Sequence, residues 1–357
     1  MPPLTSSAPP SAVRQPCHWQ SSLRSAVRDP IELCRLLELE PDSIFSHQAH
    51  RRFPLLVPRE FLQKIEPRNP RDPLLVQVLP HPDEDHQPNG FVRDPVGDAA
   101  AQQAPGYLRK YAGRVLIMPT MSCAVHCRYC FRRNYLDPAF FRPTSPIGTP
   151  PVGTNRPSIA NDDRLDHICR LLSEDDSIRE VIFSGGDPLM LPDEQLARWI
   201  GRLEPIPHLT TLRIHTRLPV MIPSRIDECL LESLTETRLQ VVVVLHVNHP
   251  REIDDDLVDG TRRLQRSGAV VLNQSVLLRH VNDRAETLIE LSQRLLEGGI
   301  LPYYLHQLDP VEGAAHFRVS DERGRALISQ MRNRLPGYLV PRLVRELPGE
   351  PHKIPLS

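Results

Sequence analysis

The sequence predicts an α/β fold: a partial (β/α)6 barrel of the TIM-like type with an N-terminal helical extension. Three observations carry that expectation. Apolar runs rich in Val, Ile and Leu recur six times between residues 114 and 305, interleaved with segments of helical spacing. The runs are nearly continuous rather than alternating, as suits parallel strands covered on both faces. Six units fall short of the eight that close a TIM barrel, so a curved, partly open barrel is expected, with a flat doubly wound sheet as the alternative.

In chain order, residues 1–30 are rich in Pro, Ser and Arg, carry one acid (Asp29), and read as a disordered tail without the apolar centre of a secretory signal. Residues 31–110 read as short helices and Pro-rich connections. The barrel is expected over 111–335, with strands at 114–118, 180–183, 211–215, 240–247, 269–277 and 301–305. Helices are expected at 163–172, 193–203, 224–234, 254–267, 284–296 and 320–334. Several open on Asp or Ser, whose side chains can accept from the free amides of a first turn. Residues 138–160, with six prolines plus Gly148 and Gly153, read as an irregular insertion. Residues 336–357 form a C-terminal segment.

Charge and cysteine usage narrow the function. Lys+Arg number 43 and Asp+Glu 44, with no run of one sign, so neither a nucleic-acid nor a membrane-surface role is indicated. No apolar run reaches the roughly 18 residues of a membrane span. The seven cysteines are odd in number, and three lie within eight residues. That pattern fits a reducing, cytoplasmic setting and a metal site better than a disulfide framework.

Those three are Cys123, Cys127 and Cys130, spaced C-x3-C-x2-C just after the first expected barrel strand. Three thiolates on one tight loop can hold three irons of a [4Fe–4S] cube and leave the fourth open. An open iron can chelate the amino and carboxylate groups of S-adenosylmethionine (SAM), whose reductive cleavage gives a 5′-deoxyadenosyl radical. His126 lies inside the loop, so the residues alone leave a Cys3His zinc site as an alternative. At the end of the second expected strand, Ser184-Gly185-Gly186-Asp187 offers glycines for close backbone approach and an acid for an ammonium group. Alone it is a weak motif, since most such strings are plain turns. Cys169 and Cys229 fall within helical patterns and read as small buried residues.

With these motifs in place, the chain resembles the radical SAM lysine 2,3-aminomutase family, from about residue 20 onward. The strings that carry the resemblance are residues 123–133 and 184–189, Asn273-Gln-Ser-Val-Leu-Leu278 and Pro302-Tyr-Tyr-Leu-His-Gln-Leu-Asp309. Gly313-Ala-Ala-His-Phe317, Gly337-Tyr-Leu-Val-Pro341 and Arg345-Glu-Leu-Pro-Gly-Glu-Pro-His-Lys353 complete it. It is most similar to the short bacterial branch that acts in β-lysylation of elongation factor P. The resemblance implies an isomerase that moves the amino group of L-lysine from Cα to Cβ, with a [4Fe–4S] cluster, SAM and pyridoxal 5′-phosphate (PLP) as cofactors. It implies Cys123, Cys127 and Cys130 on the cluster and Gly185, Gly186 and Asp187 on SAM. Lys353 would carry PLP, with Lys110 and Arg114 on its phosphate. Arg132 would clamp the substrate α-carboxylate, while Asp283 and Glu346 would take its distal ammonium. Lys110 and Glu346 stand where the long enzymes have Arg and Asp, which keeps each charge and changes reach and geometry. The partners implied are L-lysine, a reductant protein such as a flavodoxin or ferredoxin, and the elongation factor P modification system. The structural zinc of the long enzymes is not expected, since no cysteine follows Cys229.

Overall fold

The computed structural model describes residues 18–41, 44–136 and 162–357; residues 1–17 of the expected tail and the whole of the expected 138–160 insertion lie outside the described residues. Ten strands form one sheet in linear order. They are β1 (Gln102–Ala104), β2 (Tyr107–Tyr111), β3 (Arg114–Thr120), β4 (Glu180–Gly185), β5 (Thr211–Thr216), β6 (Gln240–Leu245), β7 (Val270–Leu277), β8 (Leu301–Gln307), β9 (Arg342–Arg345) and β10 (Ile354–Pro355). From β3 to β9 every neighbouring pair is parallel. The edge strands β1, β2 and β10 are antiparallel additions. The two edges do not pair with each other, which makes this an open barrel.

The six expected strands are β3 to β8, and the crossover helices fall where helical spacing placed them: Asp162–Ser173, Asp193–Leu203, Glu228–Thr235, Asp255–Arg266, Ala285–Glu297 and Asp321–Arg332. Asp227, Asp254 and Ser320 cap three of them by accepting from Leu230, Leu257 and Arg323 amides. Burial then alternates along β5 and β7: Leu212 and Ile214 pack outward, whereas Arg213 and His215 face a central cavity.

Three boundaries differ from expectation. Residues 18–30 are not tail: the helix His18–Arg24 packs down with Trp19 only 2% exposed, Arg225 stacks over its ring at 4.8 Å, and Val27 bridges to Val57. A buried indole is a large apolar contribution for so short a helix. The extension ends earlier than residue 110, because β1 and β2 join the barrel sheet through hairpins turning at Gly106 and Gly113, both at positive φ. The C-terminal segment is also part of the sheet, since β9 runs parallel to β8 and β10 folds back onto β9. Among the described residues, no helix is long and apolar enough to cross a membrane.

Candidate active site

The parallel strands all end on one side, and the residues just past their ends line one cavity of about 330 Å³. In α/β barrels this face carries the chemistry, because the loops there are free to vary while the strands stay fixed.

At one pole lies the loop after β3. Cys123, Cys127 and Cys130 all line the cavity and none is in a disulfide. Burial raises the Cys123 and Cys130 thiols, Cys130 to about 11, and the other thiols of the loop push in the same direction. Three thiols that repel one another's ionisation share a space that a cationic group would fill. Among the described residues they do not form a trio within 4.8 Å. Thiolates around one zinc ion would sit about 3.8 Å apart, given a 2.3 Å Zn–S bond. His126 does not complete a zinc set either: its Nδ1 lies 2.7 Å from the Pro54 carbonyl and its ring stacks on Phe53. The donor set therefore fits a larger cluster with three thiolate ligands.

The turn after β4 is pressed against this loop. Gly186 donates to the Thr120 carbonyl and Asp187 to that of Ser122. A Cβ at Gly186 would fall 2.5 Å from Met121 backbone, and Gly185 has φ +105°, so both positions require glycine. Asp187 lines the cavity, but its carboxylate is used internally. It accepts from Thr216 Oγ1, from the Arg217 and Leu218 amides at 2.7–2.8 Å, and from the Leu189 amide at 3.1 Å. The acid expected to receive an ammonium group is thus the clasp between the β4 and β5 ends, leaving backbone groups of the turn to meet a ligand.

The opposite pole is ionic. The Lys353 ammonium pairs with Glu346, whose other oxygen is 2.8 Å from Lys110 Nζ. Lys110 also pairs with Asp98, which holds Arg132 Nε at 2.8 Å; Arg132 Nη1 donates to Ser184 Oγ at 2.9 Å. Burial alone would raise the Glu346 and Asp98 carboxyls, but their cationic partners override it and hold both below the usual range. The chain has only three lysines, and the third, Lys64, is bound to Asp254 and the Glu252 carbonyl.

Two expected roles are corrected here. Asp283 does not line the cavity; its carboxylate accepts from the His280 amide in its own loop at 3.2 Å, and its backbone carbonyl accepts from Arg323. Asp309, two residues past β8, lines the cavity instead, and burial together with the nearby Glu346 raises its carboxyl to about 7. Lys110 was expected on a phosphate but is committed to Glu346 and Asp98, because two buried acids beside it need a cation. Arg114 lines the cavity over the Tyr111 ring without an ion pair among the described residues, whereas Arg213 pairs through Nη2 with Glu180 and keeps a buried Nε without a hydrogen-bond partner. The Arg114 guanidinium and the open Nε edge of Arg213 fit a phosphate. His215, His246 and His306, which the sequence reading passed over, also line the cavity and are held neutral by burial, His246 at about 3. Polar residues at every second position of otherwise apolar strands, as in Arg213 and His215 or Tyr304 and His306, are the pattern that could have revealed them.

Residues 117–292 match the model of the Radical SAM superfamily. The chain is 42% identical over 341 residues to the L-lysine 2,3-aminomutase of Escherichia coli, covering 95% of this chain and 94% of that protein. It is 44% identical to the enzyme of that name from Haemophilus influenzae, covering 96% of each, and 30% identical to that of Clostridium subterminale, covering 95% of this chain and 77% of that protein. A radical SAM methyltransferase from Sphaerobacter thermophilus aligns with a TM-score of 0.44 and 18% identity over 67% of this chain and 68% of that one. The family match and the relatives imply a [4Fe–4S] cluster, SAM and PLP as cofactors. With a thiol pole and a lysine pole facing one cavity at the strand ends, the chain belongs to the lysine 2,3-aminomutase family of radical SAM isomerases.

Proposed function

We propose that this protein converts L-α-lysine to β-lysine by a 1,2-amino shift, and that the product serves the modification of elongation factor P in the cytoplasm. The observation that carries the reading is the single cavity that brings the three thiols to face the Lys353–Glu346–Asp309 group. When bound, the cluster and SAM supply a hydrogen-abstracting radical and PLP supplies the conjugated system across which nitrogen can migrate.

The chain's own residues have defined tasks in this reading. Cys123, Cys127 and Cys130 hold the cluster, and the Gly185-Gly186-Asp187 turn shapes the SAM site through its backbone. Lys353 holds PLP, and Arg114 with Arg213 receives the phosphate. Arg132 clamps the substrate carboxylate, its guanidinium fixed by Asp98 and Ser184 so that little ordering remains to be done on binding. Once the Lys353 amine is engaged with PLP its charge no longer faces Glu346, and the substrate's distal ammonium takes that place between Glu346 and Asp309. A glutamate side chain would meet two carboxylates there and be repelled. A reductant protein such as a flavodoxin or ferredoxin delivers the electron.

Anaerobically reconstituted protein given L-lysine, SAM and a reductant should form β-lysine, while glutamate should give no product. No β-lysine from protein carrying full cluster and PLP would sink the reading.

A further inference from the structure

Arg217 follows β5 directly, and its side chain is 5% exposed. One of its terminal nitrogens, Nη1, donates to Cys127 Sγ at 2.8 Å and to the Tyr129 hydroxyl. The other, Nη2, donates to Gln77 Oε1 at 2.8 Å and to Glu252 Oε2 at 3.2 Å. The rest of the group is closed on itself. Gln77 Nε2 donates to Glu252 Oε1 at 3.0 Å, and Asn248 Nδ2 donates to Gln77 Oε1 at 3.0 Å and to the Tyr129 hydroxyl at 2.7 Å. Gln77 and Glu252 are fully buried and Asn248 is 1% exposed. Among the described residues, Cys127 is the one cysteine of its loop whose sulfur accepts from a charged side chain.

None of the substrate or cofactor tasks above uses this arginine, and its cost is plain: a guanidinium and a carboxylate are both withheld from water. We propose that Arg217 is a positioning residue that raises the reduction potential of the cluster through its hydrogen bond to the Cys127 thiolate, and that Glu252 limits the rise as its counter-charge. A donor on a ligand sulfur withdraws electron density and favours the state with one more electron. In a buried site the effect is screened little by salt. Glu252 acts on the same electron with the opposite sign, and Gln77, Asn248 and Tyr129 fix the guanidinium so that the two cannot drift apart. The inference rests on Cys127 being a cluster ligand.

The test is a redox titration of the reconstituted full chain, followed by the electron paramagnetic resonance of the reduced cluster, without SAM or lysine. Arg217→Met should shift the reduction equilibrium about tenfold toward the oxidised state, or about 59 mV downward for one electron. Glu252→Gln, which is nearly isosteric, should shift it upward, and the double variant should fall between. Opposite signs are what a general loosening of the site would not produce. Unchanged midpoints, or both single variants shifting the same way, would overturn the proposal. If Arg217→Met fails to fold, the sign of the Glu252→Gln shift still decides. Iron content separates the two layers: Cys127→Ala retaining four irons would refute the ligand assignment, whereas normal cluster loading with unmoved potentials would refute only the role of Arg217.

Discussion

The two poles of the cavity are built by different physics. The thiol pole is held by backbone contacts and buried donors: glycines pressed on the cysteine loop, the saturated Asp187 carboxylate, and Arg217 fixed at both terminal nitrogens. The lysine pole is a row of alternating charges, Lys353–Glu346–Lys110–Asp98–Arg132, most of them half-buried. A pole of the first kind has one geometry. A pole of the second kind can exchange one cation for another at constant net charge, which is what a site must do if its own lysine and its substrate both carry an ammonium group.

That contrast can be broken most completely at the thiols. Replacing Cys123, Cys127 or Cys130 by Ala should abolish the brown absorbance of reconstituted protein and all SAM cleavage, while the same change at Cys169 or Cys229 should leave both intact. At the other pole, Lys353→Ala should lose the PLP absorbance and lysine turnover with iron content unchanged; a borohydride-fixed adduct on Lys64 or Lys110 would contradict the assignment. Next in size are the acids. Leaving a buried ammonium poorly compensated costs about 3–5 kcal/mol. Asp309→Asn and Glu346→Gln should therefore each lower kcat/KM for lysine by roughly two to four decades. Asp283→Asn should stay near wild type; an equal loss there would restore the role that the loop geometry denies it.

A finer test uses pH. The Asp309 carboxyl is raised to about 7 in the free cavity, so it is largely protonated below that pH. An arriving ammonium favours the ionised form, and binding releases the proton. Lysine affinity should therefore rise with pH through about 7 and level off above it. Asp309→Asn should flatten that part of the profile, read by calorimetry on the loaded protein. The smallest effect should come from Lys110→Met, which should weaken lysine binding more than PLP binding, because Lys110 faces Glu346 and Asp98; a selective loss of PLP would return it to the phosphate.

The barrel was largely legible because its strands and helices differ in period, and β3 to β8 carry long apolar runs. The short outer strands were not: β1, β9 and β10 have two to four residues each, and β9 begins and ends on arginine. For β1 and β2 the hairpin glycines, Gly106 and Gly113, were the available clue. Within the site, the three cysteines and Lys353 could be named because spacing and scarcity mark them. Asp283 and Asp309 could not be told apart by residue type. What separates them is distance past a strand end, six residues beyond Leu277 against two beyond Gln307, because an acid two residues out is still aimed by the strand. The Arg217 group was invisible for a different reason: it joins residues 77, 129, 217, 248 and 252, which only the folded sheet brings together.

The scarcity of lysine has a consequence of its own. PLP is an aldehyde, and aldehydes condense with any accessible amine that can shed its proton. Of the 43 basic side chains, three are lysines, and none of the three is exposed. The remaining basic surface is arginine, whose guanidinium stays protonated and offers no such nucleophile. Apart from its amino terminus, the outside of this protein is chemically silent toward its own cofactor, so excess PLP should load the cavity without decorating the surface.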